Sequence, residues 1–241
     1  MKALLVRVGI DLSKDSGIWN APVNDVTGEF AYVPIIENET KGKKRIRSGY
    51  EISYDQFDGP CQKLSKELPS RFRNECAHLD PDFQYLTYGD EGNKGAQLEN
   101  LVEGDILAFW AGLSLAKARP RELIYALIGL YVVAQKPVYA KNIPPKDWHR
   151  NAHTRRQFLE DDIVVFGRHD GTSGRLKRCI RIGGYRDNGY RVDCDLWDAW
   201  GGLRGGDRIQ RGPHRSFCFP DRFYEWFKKQ SIPLVEKNNL P

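Results

Sequence analysis

Glu103-Gly104-Asp105-Ile106-Leu107-Ala108-Phe109-Trp110, followed after a basic connection by Leu123-Ile124-Tyr125-Ala126-Leu127-Ile128-Gly129-Leu130-Tyr131-Val132-Val133, is the stretch that decides the fold. Gly104-Asp105 suits a tight turn into a strand over Ile106 to Trp110. The second run reads as a strand too, and Lys117, Arg119 and Arg121 lie in the connection, so the two form a long-looped hairpin. Upstream, Ala3 to Ile10 is a β-rich apolar run ending at Gly9-Ile10-Asp11, a buried strand that delivers Asp11 to an irregular loop. Glu29 to Ile36 alternates like a strand, and a second strand pair is expected at Asp162 to Phe166 and Leu176 to Ile182.

Helical spacing occurs twice. Cys61, Leu64, Leu68 and Phe72 predict a helix within Asp58 to Arg73, held to about three turns by Pro69. Phe223, Trp226 and Phe227 predict another over Asp221 to Gln230, with Pro220 and Asp221 as start signals. Gly92 and Gly95 instead suggest a short polar connection running to Leu101. The expectation is an α+β chain, one domain over residues 1–241, with a mixed or barrel-like β-sheet core and a few packing helices. Lys41, Lys43, Lys44, Arg45 and Arg47 predict a mobile basic loop near residues 37–48.

Composition narrows the function classes. With 241 residues, 40% hydrophobic and 29% charged, the chain can build a core and is far from the disordered regime. Gly129 breaks the longest apolar run, which is too short for roughly 30 Å of hydrocarbon. Met1 to Arg7 holds no signal-peptide core, so a cytoplasmic location is expected. Five cysteines without a Cys-x-x-Cys pair suggest neither a disulfide framework nor a zinc ribbon. A net charge of +5 permits a nucleic-acid or phosphate partner without requiring one.

Four constellations carry polar chemistry. Arg7, Asp11, Trp19 and Asn20 supply a cation, a carboxylate, a π face and an amide, a set able to grip a planar base; a capped turn with Trp19 on the core explains them equally well. His78, Asp80, Asp82, Tyr85, Tyr88 and Asp90 crowd one loop, where His-x-Asp suits a metal pair or a base with its orienting acid, and Asp80-Pro81-Asp82 suits a turn. Asn151, His153, Arg155 and Arg156 follow Trp148 and His149. The two histidines are four apart, but no His-Glu-x-x-His pattern is present, and the arginines suit a phosphate-facing surface or a solvated basic turn. Gly201-Gly202-Leu203-Arg204-Gly205-Gly206 matches no nucleotide-phosphate loop and reads as a turn. No serine or cysteine nucleophile motif appears.

Longer strings carry a resemblance. Val6-Arg7-Val8-Gly9-Ile10-Asp11, Gly17-Ile18-Trp19-Asn20-Ala21-Pro22-Val23, His78-Leu79-Asp80-Pro81-Asp82-Phe83, Leu86-Thr87-Tyr88-Gly89-Asp90, Asn151-Ala152-His153-Thr154-Arg155-Arg156 and Ala199-Trp200-Gly201-Gly202-Leu203 resemble the third family of nucleotide-modification-associated domains over nearly the whole chain. The resemblance implies a place in a system that modifies DNA bases, alongside other base-modification proteins, without naming substrate or step. The Gly104-Asp105 turn and its two strands are also similar to PUA-like and EVE-like barrels, which bind RNA or modified bases.

Two readings, with a structural adaptor as the third, therefore stand. In the first, Trp19, Asn20 and Asp11 hold a base, Arg7, Arg155 and Arg156 meet phosphate, and Tyr88, Asp90 and Asn151 complete a nucleic-acid site, DNA rather than RNA. In the second, His78 or His153 is an acid or base, with Asp80, Asp82 or Asp90 as its partner or as a metal ligand. The first assigns no metal ligand, and no cofactor is named by the sequence.

Overall fold

The computed structural model describes residues 1–10, 19–37, 46–57, 66, 68–72, 74–115, 122–157, 159–209 and 214–239. Asp11, most of the basic loop, most of the helix expected over Asp58 to Arg73, and Lys117, Arg119 and Arg121 lie outside them.

Strands β1 (Ala3–Arg7), β2 (Ala21–Val23), β3 (Ile35–Ile36), β4 (Ala77–His78) and β5 (Thr87–Asp90) come first. Helix α1 (Gly92–Glu99) leads to the hairpin of β6 (Ile106–Leu115) and β7 (Leu123–Val132). There follow β8 (Val138–Tyr139), α2 (Ala152–Arg155), β9 (Ile163–Phe166), β10 (Gly174–Arg186), β11 (Gly189–Val192), α3 (Cys194–Trp200), β12 (Arg215–Ser216), α4 (Pro220–Lys229) and β13 (Leu234–Val235). The chain is α+β, with a curled half-barrel sheet and a few helices.

The main sheet has eight strands in the order β11-β10-β7-β6-β1-β12, with β13 beside β10 and β2 beside β6. Both β1 and β2 run parallel to β6, Leu4 opposite Leu107 and Ala21 opposite Leu113. The hairpin forms as expected, with Ile106 opposite Val132 and Ser114 opposite Leu123.

Apolar side chains sit on both faces of this sheet, which is why its central strands read as continuous hydrophobic runs rather than alternating ones. Leu4, Val6, Leu107 and Phe109 enter one core, while Ala3, Leu5, Ile106 and Ala108 enter the other. Ile128 is an extra residue in β7, since Phe109 faces Gly129 and Trp110 faces Leu127; the bulge reverses the inside–outside parity of β7. Helices α3 and α4 cover the second core through Trp200, Phe223 and Phe227. The Phe217 and Phe223 rings stack there at 3.9 Å.

Three expectations are corrected. Asp162 to Phe166 and Leu176 to Ile182 do not pair. Strand β9 lies in a separate three-stranded sheet, β5-β9-β8, whereas β10 joins the main sheet beside β7. The stretch from Gly92 is a helix, and Gly95 lies in it where a Cβ would come 2.9 Å from the Asp90 carbonyl oxygen; close approach, not a turn, requires the glycine. Strand-like alternation over Glu29 to Ile36 yields a ladder only at Ile35–Ile36, with Phe30, Ala31, Tyr32 and Val33 buried in irregular backbone.

Candidate functional site: a buried histidine–carboxylate centre

Three short pairings assemble the centre. In the β3–β4 pair Ile35 lies opposite His78, which sets Glu37, two residues further along and on the same face, beside the imidazole. The Asp80–Pro81 bond is cis. In the β5–β9 pair Asp90 lies opposite Ile163, which sets Asp162 at the strand entrance. Helix α2 supplies His153, and its start is fixed by Asn151, whose side-chain oxygen accepts from the His153 N–H at 2.8 Å.

Both imidazoles are oriented by carboxylates. His78 Nδ1 is 2.6 Å from Glu37 Oε2, and His153 Nδ1 is 2.7 Å from Asp162 Oδ1. Their other nitrogens converge on one carboxylate. His153 Nε2 lies 3.3 Å and His78 Nε2 4.0 Å from Asp80 Oδ2. The rings meet edge to face with centroids 5.1 Å apart. Asp80 is held in turn by the Gly89 N–H, at 2.8 and 3.1 Å to its two oxygens, and by Asn151 Nδ2 at 3.3 Å. Asn151 also donates to Thr87 Oγ1 at 3.2 Å, and Thr87 Oγ1 donates to the Arg150 carbonyl.

Arg156 is the guanidinium of the cluster. Its Nη2 lies 3.0 Å from both Asp162 Oδ1 and Glu91 Oε2 and 2.8 Å from His153 Nδ1, with Nη1 3.8 Å from Glu37 Oε1. Glu37, Asp80, Asp162, His153 and Arg156 are all buried. This charge balance moves the ionisations apart. Burial opposes charge on His153, but hydrogen bonds to Asp162 and Asp80 outweigh it and raise the imidazole to about 9. Burial likewise raises Asp80 above the usual carboxylate range, against the pull of His153 and His78. Glu37 and Asp162 are also opposed by burial, yet His78 holds the first and His153 the second below that range, with Arg156 assisting both.

Among the described residues, two triads place ligand-type atoms within 4.8 Å of one another: His78, Asp80 and His153, and Glu91, His153 and Asp162.

A second network adjoins the first across Pro81. Arg155 Nη2 pairs with Asp82 Oδ2, and Arg155 Nε donates to the His149 carbonyl. Asp82 also accepts from Asn238 Nδ2 and the Gln84 N–H. Arg155 Nη1 is buried without a hydrogen bond among the described residues. Asp82 and Arg155 line a cavity of about 700 Å³ together with Tyr50, Tyr85 and His149. His149 lies in a 3₁₀ segment, Pro145–Arg150, that stops before the Asn151 cap, so it shares no helix face with His153; its ring meets Tyr85 at 5.2 Å.

The remaining candidates lie apart. Tyr88 donates to Asp90 Oδ2 at 2.8 Å, beside Lys94 and His214. The Arg7 guanidinium lies over Trp110 at 5.6 Å. Trp19 packs half-buried on the first core, and Asn20 is buried with Oδ1 lacking a hydrogen bond among the described residues. Among the described residues, neither Trp19 nor Asn20 bonds to His78, Asp80 or His153. Glu37, Glu91 and Asp162 escape sequence reasoning because only strand pairing brings them to the histidines.

Fold and site together define an α+β protein on a curled half-barrel sheet with a buried histidine–carboxylate centre. The chain belongs to the family called nucleotide modification associated domain 3, whose model matches residues 2–194 and so spans the whole centre. The name associates the family with nucleotide modification. No curated protein and no solved structure matches the chain, and likeness to PUA-like barrels is not shown. No helix among the described residues is long and apolar enough to cross a membrane.

Proposed function

We propose that this protein is an enzyme of a nucleotide-modification system, acting on a base or nucleotide at the centre formed by His78, Asp80 and His153. One observation carries the reading: two imidazoles, each fixed at Nδ1 by its own carboxylate, present Nε2 to the same buried carboxylate. A purely structural network has no need of such convergence, whereas an imidazole with a fixed tautomer is what proton transfer or ligation requires. Asn151 and Arg156 are positioning residues for His153 and Asp162. Arg155, which lines a polar cavity of nucleotide size, suits a phosphate or a base edge.

The test is incubation of the purified protein with deoxynucleotides and with DNA, followed by mass analysis of the nucleosides. Conversion by the wild type and none by Asp80→Asn supports the reading; conversion undiminished in Asp80→Asn and His153→Gln contradicts it.

Base recognition at Trp19 and Asn20, with Arg7 and Asp11 nearby in sequence, is the second reading, favoured by the buried, unbonded Asn20 Oδ1. A stacked base contributes about 1–3 kcal/mol, so Trp19→Ala should weaken oligonucleotide binding roughly 5- to 150-fold under it. Equal binding by both proteins sinks it.

A further inference from the structure

We infer that the centre binds one divalent first-row transition-metal cation through His78 Nε2, Asp80 Oδ2 and His153 Nε2. The inference deepens the proposed function by giving its centre a cofactor class.

Distance is the first argument. A cation at roughly 2.0–2.2 Å from nitrogen and oxygen donors sets neighbouring donors about 3.0–3.5 Å apart. Asp80 Oδ2 already stands 3.3 Å from His153 Nε2 and 4.0 Å from His78 Nε2. A small rotation of the His78 ring closes the set.

Orientation is the second. Ligating histidines characteristically give their other ring nitrogen to a carboxylate, which fixes the tautomer and strengthens the donor. Here both histidines do so, through Glu37 and Asp162, and these two partners come from separate parts of the chain. Asp80 is anchored as well, by the Gly89 N–H and Asn151.

Charge is the third. Among the described residues, buried Glu37 and Asp162 and the part-buried Glu91 pair with one guanidinium, Arg156, and the ion-pair partners of buried Asp80 are His78 and His153. Such an excess of buried negative charge calls for a compensating cation.

The other triad, Glu91, His153 and Asp162, is the poorer site. A cation there would sit against Arg156 Nη2, 3.0 Å from both carboxylate oxygens, and would use the His153 nitrogen already pledged to Asp162. Two imidazoles and one carboxylate are a donor set for iron(II), cobalt(II) or zinc(II) rather than for magnesium or calcium, which prefer oxygen.

The experiment is cobalt(II) titration of the metal-stripped full chain, read by calorimetry and by visible absorption, with folding of every variant checked by circular dichroism. About one cobalt per chain is expected, competed by zinc(II) and not by magnesium. Asp80→Asn and His153→Gln should abolish it, Glu37→Gln should weaken it roughly 10- to 100-fold by freeing His78, and His169→Gln, at an exposed ion pair, should leave it unchanged. Cobalt binding that persists in folded Asp80→Asn and His153→Gln, or is absent from the wild type, overturns the inference. Nucleoside conversion that survives complete metal removal overturns it while sparing the proposed function; tight cobalt binding without any conversion does the reverse.

Discussion

The imidazole of His153 occupies the space in which a side chain at position 89 would begin: a Cβ on Gly89 would lie 2.5 Å from His153 Cδ2. The same glycine donates its N–H to Asp80. One backbone position therefore holds a carboxylate and makes room for the ring that faces it.

Gly89→Ala should accordingly displace His153. The Ile163 carbonyl oxygen, 3.1 Å from the new Cβ, closes the alternative direction. Overpacking of this kind costs about 1–3 kcal/mol. Chemical denaturation should show that loss, and cobalt affinity should fall with it. Unchanged stability and affinity would mean that the ring is not confined as described.

Arg155→Leu should destabilise the protein by about 3–5 kcal/mol, because it leaves the buried Asp82 carboxylate without its guanidinium. Asp82→Asn added to Arg155→Leu should recover part of that loss, since the amide carries no charge to compensate. Equilibrium unfolding in urea measures both. A double variant less stable than Arg155→Leu alone would show that Asp82 is held chiefly by the Gln84 N–H and Asn238.

His214 should make the protein acid-sensitive. Burial lowers its imidazole to about 4; Asp90, 3.5 Å from Nε2, pulls the other way, and Lys94 reinforces the lowering. Between the ordinary value of 6.5 and about 4 the unfolded chain takes up a proton that the folded protein refuses. Stability from neutral His214 is thus complete above pH 6.5 and is lost as the pH falls toward about 4. Melting temperatures across this window should drop in the wild type and drop less in His214→Gln. Parallel curves would place the acid sensitivity elsewhere.

Much of the fold is legible in the sequence where burial on both faces leaves a continuous apolar run, as in β1, β6 and β7, or where aromatic residues keep helical spacing, as in α4. Helix α1 was hidden by Gly92 and Gly95, which imitate a turn. Sheet membership of β9 and β10 was hidden for a different reason: both strands are plain locally, and only long-range pairing with β5 and β7 separates them. The site divides in the same way. His78-x-Asp80 and Asn151 to Arg156 stand out as dense polar strings, while Glu37 and Asp162 acquire meaning only when β3–β4 and β5–β9 form. Arg155 and Arg156 read in sequence as a phosphate-facing surface or a solvated basic turn; in the fold both are buried and paired with carboxylates, and Arg155 also lines the cavity.

The central claim is that the His78, Asp80 and His153 centre performs chemistry on a base or nucleotide. The most direct measurement compares, by mass spectrometry, the nucleosides of the DNA and of the free nucleotide pool from cells producing the wild type with those from cells producing Asp80→Asn at equal level. A nucleoside that appears or disappears with the wild type and not with Asp80→Asn is the predicted result. Identical changes with both proteins would contradict the account.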